Sequence, residues 1–137
     1  MVCIKPGNEL MLIAILIQVL FIAVNIGMAK IEADMIERNE RIYHGLWMAG
    51  YISLIAITCF FYGNWWLTAH LLLVRGVVFD IALNRFRGLA TDYTSSKTTS
   101  FTDAPLLWIF GGDFFLQKIV FAALLITANL LLFTHVI

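Results

Sequence analysis

With 137 residues, 61% of them hydrophobic and only 13% charged, and a mean hydropathy of +0.89, the chain is too apolar for an ordinary water-soluble domain, in which about a quarter of residues carry charge. Nine Lys and Arg balance nine Asp and Glu, so no basic excess points to nucleic acid, and nucleic acid is not an expected partner. The lipid bilayer is the partner this composition implies. The expected fold class is an all-α membrane protein with four transmembrane helices as two hairpins, forming a single domain over 1–137.

A stretch of about 20 apolar residues crosses a hydrocarbon core of about 30 Å at a rise of about 1.5 Å per residue. The first such stretch is 10–29, interrupted by Gln18 and Asn25. It follows Lys5 and ends in Gly27-Met28-Ala29, whose small Gly27 and Ala29 are of the kind a signal peptidase accepts. It is longer than a signal peptide's apolar region of about 7–15 residues, so it reads as a true first helix. The connection 30–42 has no Gly or Pro. Asp34/Arg38 and Glu37/Arg41 stand four apart in the favourable acid-first order. The flanking helices are expected to run past the bilayer, turn around Asn39 and present an ordinary solvated face.

The second span is 43–62, with His44 and Ser53 as its polar notes, and Gly63-Asn64 makes a tight turn into the third, 65–84. Tyr62, Trp65 and Trp66 flank that turn, where aromatic rings settle at the membrane interface. The third span carries Arg75 near its middle and Asp80 towards its end, each costing about 2.5–3.5 kcal/mol if left at the bilayer centre. The connection 85–113 is hydroxyl-rich over 91–103 and then apolar over 104–112, a run too short to span. Asp103 suits an N-cap, Pro105 a first helical turn and Gly111 a helix end, which predicts a short interfacial helix over 105–110 before the fourth span. Asp113 is placed to cap that fourth span, 114–137.

Charge orients these segments. Lys30, Arg38, Arg41, Arg85, Arg87, Lys97 and Lys118 fall in or beside the two long connections, against Lys5 alone on the other side. The positive-inside rule puts both connections in the cytoplasm and both termini outside. A bacterial cytoplasmic membrane is the expected location.

Chemistry, if the chain performs any, has to use polar residues at membrane depth. At about 100° per residue, His70, Asp80 and Asn84 share one face of the third helix, while Arg75 lies about 140° from Asp80. An ion pair between these two along one helix is therefore awkward, and Arg75 is expected to meet another helix or a second subunit. Gln18, Ser53 and Thr127 are expected at comparable depth. Asn25, His44, Asp80, Asn84 and Gln117 gather nearer the cytoplasmic surface in this topology, with His44 expected to bond Asp80 or Asn84. The resulting buried polar cluster comprises Arg75, Asp80, Asn84, His44, Asn25 and Gln18, with Asp92 and Asp103 as loop contributors.

No HExxH, phosphate-binding glycine loop, nucleophile elbow or dinucleotide fingerprint occurs. No metal is expected and no cofactor is implied. Cys3 and Cys59 form no paired motif and read as packing residues. Gly45-x-x-x-Ala49 and Gly76 permit close helix approach.

Three classes of function fit these features. The leading one is a non-enzymatic homo-oligomeric channel or membrane assembly protein. An accessory subunit, with a different membrane protein as its partner, would use the same polar faces. A membrane-embedded hydrolase would draw on His44, Asp80 and the loop acids.

Overall fold

A computed structural model describes residues 6–63, 65–91, 93 and 108–135. Among them the chain is helical, without strands: α1 (Pro6–Glu37), α2 (His44–Tyr62), α3 (Leu67–Phe86) and α4 (Phe114–His135). Three of these, α1 to α3, are long and apolar enough to cross a membrane, and α4 contributes a shorter apolar stretch, Phe115–Leu131.

The helix ends follow from local residue chemistry. In α1 the 32 residues run on through the charged stretch to Glu37, about 48 Å at 1.5 Å per residue. Asn39 then turns the chain with φ 56°, the left-handed conformation that Asn tolerates better than most residues. Its N–H donates to Ile36 O at 3.0 Å and Glu40 N–H donates to Met35 O at 2.9 Å, a Schellman closure. Gly88 ends α3 in the same way with φ 68°, as Leu89 N–H reaches Asn84 O at 2.9 Å. Gly63 closes α2 at φ 73°, donating to Cys59 O.

Before α4, residues 108–110 are helical and Gly111 and Gly112 both take positive φ. Asp113 Oδ1 accepts from Leu116 N–H at 2.8 Å, an N-cap for α4. The expectations for Cys3, Asn64, Asp92, Lys97, Asp103 and Pro105 lie outside the described residues.

The packing runs through α3, which meets each of the other three helices and α1 most extensively. Side-chain partners fix the directions. Asn25 and Lys30 of α1 pair respectively with Arg75 and Phe86 of α3, so α1 and α3 run parallel. Tyr51 and Cys59 of α2 meet Leu71 and Thr68, and Lys118 and Phe121 of α4 meet Asp80 and Gly76, so α2 and α4 run antiparallel to α3. The apolar core is a cluster of Phe21, Tyr51, Ile55, Cys59, Leu67 and Leu71, with Phe21 and Tyr51 edge to face at 5.7 Å. Cys59 is fully buried there, its Sγ 3.2 Å from Thr68 Oγ1.

Gly76 shows why α4 can approach α3 so closely. A Cβ at this position would stand 2.6 Å from Phe121 Cδ2, so the ring of Phe121 occupies the space a side chain would need. Phe110 packs edge-on against the same ring at 6.1 Å, tying the segment before α4 to this contact.

Candidate functional site

Several polar side chains of the bundle lie on α3, and its helical pitch decides which neighbour each of them meets. Arg75 and Asp80 lie about 140° apart around the helix, so they face different helices. Arg75 donates from a terminal guanidinium nitrogen to Asn25 Oδ1 on α1 at 3.3 Å. Its guanidinium carbon sits 4.1 Å from the Phe79 ring centroid and 4.9 Å from that of Tyr51. A delocalised cation between two ring faces gains cation–π attraction that lipid tails cannot offer.

Asn25 and Tyr51 extend this contact into a chain of bonds. The fully buried Asn25 donates from Nδ2 to Phe21 O at 2.7 Å and to Tyr51 Oη at 3.0 Å. Tyr51 Oη in turn donates to Leu71 O at 2.8 Å. Three helices are thus joined through one amide, one phenol and one guanidinium.

Asp80 faces α4, where Lys118 Nζ stands 2.5 Å from Oδ2 and also donates to the backbone oxygen of Gly76. Lys118 is buried, its side chain only 10% exposed, while that of Asp80 is 41% exposed. The missing side chain of Gly76 therefore serves two ends, admitting the Phe121 ring and leaving a carbonyl open to the lysine.

The sequence-predicted cluster divides among separate sites. Arg75 and Asn25 come together, and Asp80 joins Lys118 instead. Gln18 bonds Asn129 Oδ1 of α4 at 2.8 Å, nearer the other end of the bundle. Asn84 is buried and donates to Tyr93 O at 2.8 Å and to Thr91 O at 3.4 Å, holding the chain after α3 against the helix end. Ser53 and Thr127 are exposed and bond back to the carbonyls of Ala49 and Ala123 on their own helices, so neither joins Gln18. Gln117 is buried one residue before Lys118.

His44 lies beside Glu32, with Nδ1 3.8 Å from Oε1, in place of the expected bond to Asp80 or Asn84. Glu32 is buried and also lies within electrostatic reach of Arg75, Asp80 and Arg87. The reading of 30–42 as a solvated face is thus corrected at Glu32 and its buried neighbour Ala33. The helix carries them past residue 29 and keeps them against α3.

Two buried polar positions had little sequence signal. Lys118 reads as one more cytoplasmic charge until Asp113 fixes the start of α4, which places it in the second turn opposite Asp80. His70 reads as one histidine near the far end of α3. It is in fact buried, with Nδ1 2.9 Å from Trp66 O and Nε2 without a hydrogen-bond partner among the described residues. With Nδ1 donating to that carbonyl, Nε2 of the neutral ring is the acceptor end.

Among the described residues no group of three His, Cys, Asp or Glu side chains stands close enough to hold a metal ion. The arrangement can lock helices to one another through charge and hydrogen bonds in a low-dielectric setting. Comparisons with known protein families, with curated proteins and with solved structures find no match.

Proposed function

We propose that this chain is a non-enzymatic homo-oligomeric membrane assembly protein. In this reading it crosses a bacterial cytoplasmic membrane four times as two helical hairpins, with both termini outside and a short interfacial helix over 105–110. The observation that carries the proposal is the open face of α2. Gly45 and Ala49 are exposed, and a Cβ at Gly45 would have no atom within 4 Å. Small residues four apart on an uncovered helix allow a second helix to approach closely.

Arg75 already bonds Asn25 and packs on two rings within the subunit, which favours assembly over a pore lined by Arg75. An accessory subunit would offer the same α2 face to a different membrane protein.

Mass in a mild detergent provides the test. The particle is expected to hold at least two copies of the 15.5 kDa chain, and Gly45→Leu is expected to reduce it to one chain. A wild-type protein that is monomeric and binds a different polypeptide through α2 would replace self-assembly with the accessory reading. The topology has its own test: thiols introduced at Asn8 and Ser96 are expected to label from opposite sides of the membrane.

A further inference from the structure

A second feature lies away from the polar contacts. An open groove of about 440 Å³ runs along one side of the bundle, walled by Ile26 of α1 and by Val77, Val78, Ile81 and Ala82 of α3. That volume falls within the range of about 300–1,000 Å³ typical of small-molecule sites. From Val77 the wall continues for about 12 Å along the helix axis and ends at Arg85 and Phe86.

The end of the groove is cationic. Arg85 is exposed, and its side chain makes no hydrogen bond or ion pair among the described residues. The Lys30 ammonium stands 5.7 Å from the Phe86 ring centroid, at the same end. Asp34 pairs with Lys30 at 2.6 Å and offsets its charge, so Arg85 supplies most of the uncompensated charge. Among the described residues no acidic side chain lines the groove.

A surface that is apolar along its length and cationic at one end is complementary to a hydrocarbon chain with an anionic head. We propose that this groove binds an anionic glycerophospholipid, with an acyl chain against Ile26, Val77, Val78 and Ile81 and the phosphate on Arg85. A guanidinium grips a phosphate through two parallel N–H donors. A zwitterionic lipid supplies the same chain, but its headgroup cation faces Arg85 at a disadvantage. The proposal needs the helices to lie in a bilayer and is independent of whether the chain self-assembles through α2.

The test offers the purified full chain equimolar phosphatidylglycerol and phosphatidylcholine with identical acyl chains in mild detergent, and counts retained lipids by native mass spectrometry. The wild type is expected to hold phosphatidylglycerol about five-fold in excess, the effect of one basic residue at an anionic headgroup. Arg85→Gln is expected to bring the two lipids to parity, with helicity and total retained lipid unchanged. Ala82→Trp, which fills the groove, is expected to abolish retention of both. Arg87→Gln, two residues on, is expected to leave the preference intact. Equal retention by the wild type would overturn the proposal, as would an Arg87→Gln loss matching that of Arg85→Gln, since the preference would then belong to diffuse surface charge. A change of oligomer mass in Ala82→Trp with lipid retention unaltered would also overturn it, by assigning the groove to a second copy.

Discussion

Helices α2 and α3 are almost the same length, 19 and 20 residues, and similar in hydropathy, yet they occupy different positions in the bundle. In α2 the buried residues are Tyr51, Ile55 and Cys59, a single seam at intervals of four. In α3 six residues are buried, among them His70 and Asn84, and α1, α2 and α4 all pack on it. Apolar length qualifies a helix to lie in a membrane. Its polar residues decide whether it lies at the centre or the edge of the bundle, because each needs a protein partner that lipid cannot supply.

That comparison is tested most severely at the contact between α3 and α4. Lys118→Leu leaves Asp80 without its cation, and removing one partner of a buried pair costs about 3–5 kcal/mol. With Asp80 partly exposed, we expect a loss near the lower end, about 3 kcal/mol, measured by reversible unfolding in mixed micelles. Adding Asp80→Leu to the same chain is expected to recover most of that loss. A single variant as stable as the wild type would show that the ion pair does not hold α3 in place.

Gly76→Ala comes next. Its new Cβ meets the Phe121 ring, and such overpacking costs about 1–3 kcal/mol. Exchange of Phe121 for Leu in the same chain is expected to restore stability, and failure to do so would place the strain in the α3 backbone. Tyr51→Phe removes one hydroxyl that both accepts and donates, with an expected loss of about 1 kcal/mol. The smallest effect is predicted on α2. Phe61 is 83% exposed, and Phe61→Ala is expected to change stability by less than about 0.5 kcal/mol by the same unfolding assay. A loss as large as that of Lys118→Leu would erase the distinction between central and peripheral helices.

Much of the local structure was legible because it depends on neighbouring residues. Asn39 and Gly63 marked the turns, Asp113 the start of α4, and Gly111 a break before it. The angular separation of Arg75 and Asp80 was also readable, since helical pitch is fixed. Partner identity was not readable in the same way. A helical wheel gives the direction of a side chain, but the neighbour lying in that direction is set by how whole helices pack. His44 is therefore expected to bond Asp80 or Asn84, while the close fit of Gly76 and Phe121 brings Lys118 to Asp80. Glu32 was misread for a related reason: charge in a connection suggests water, whereas α1 carries it onward against α3.

The ion pair of α3 and α4 also has a history in time. Arg75 finds Asn25 on a helix already synthesised, but Asp80 waits for Lys118, 38 residues further along the chain. At about 5–20 residues per second, that interval lasts roughly 2–8 s. For those seconds α3 holds an acid without its permanent counterion, so it is expected to remain near the translocon's aqueous interior or the membrane surface until α4 follows.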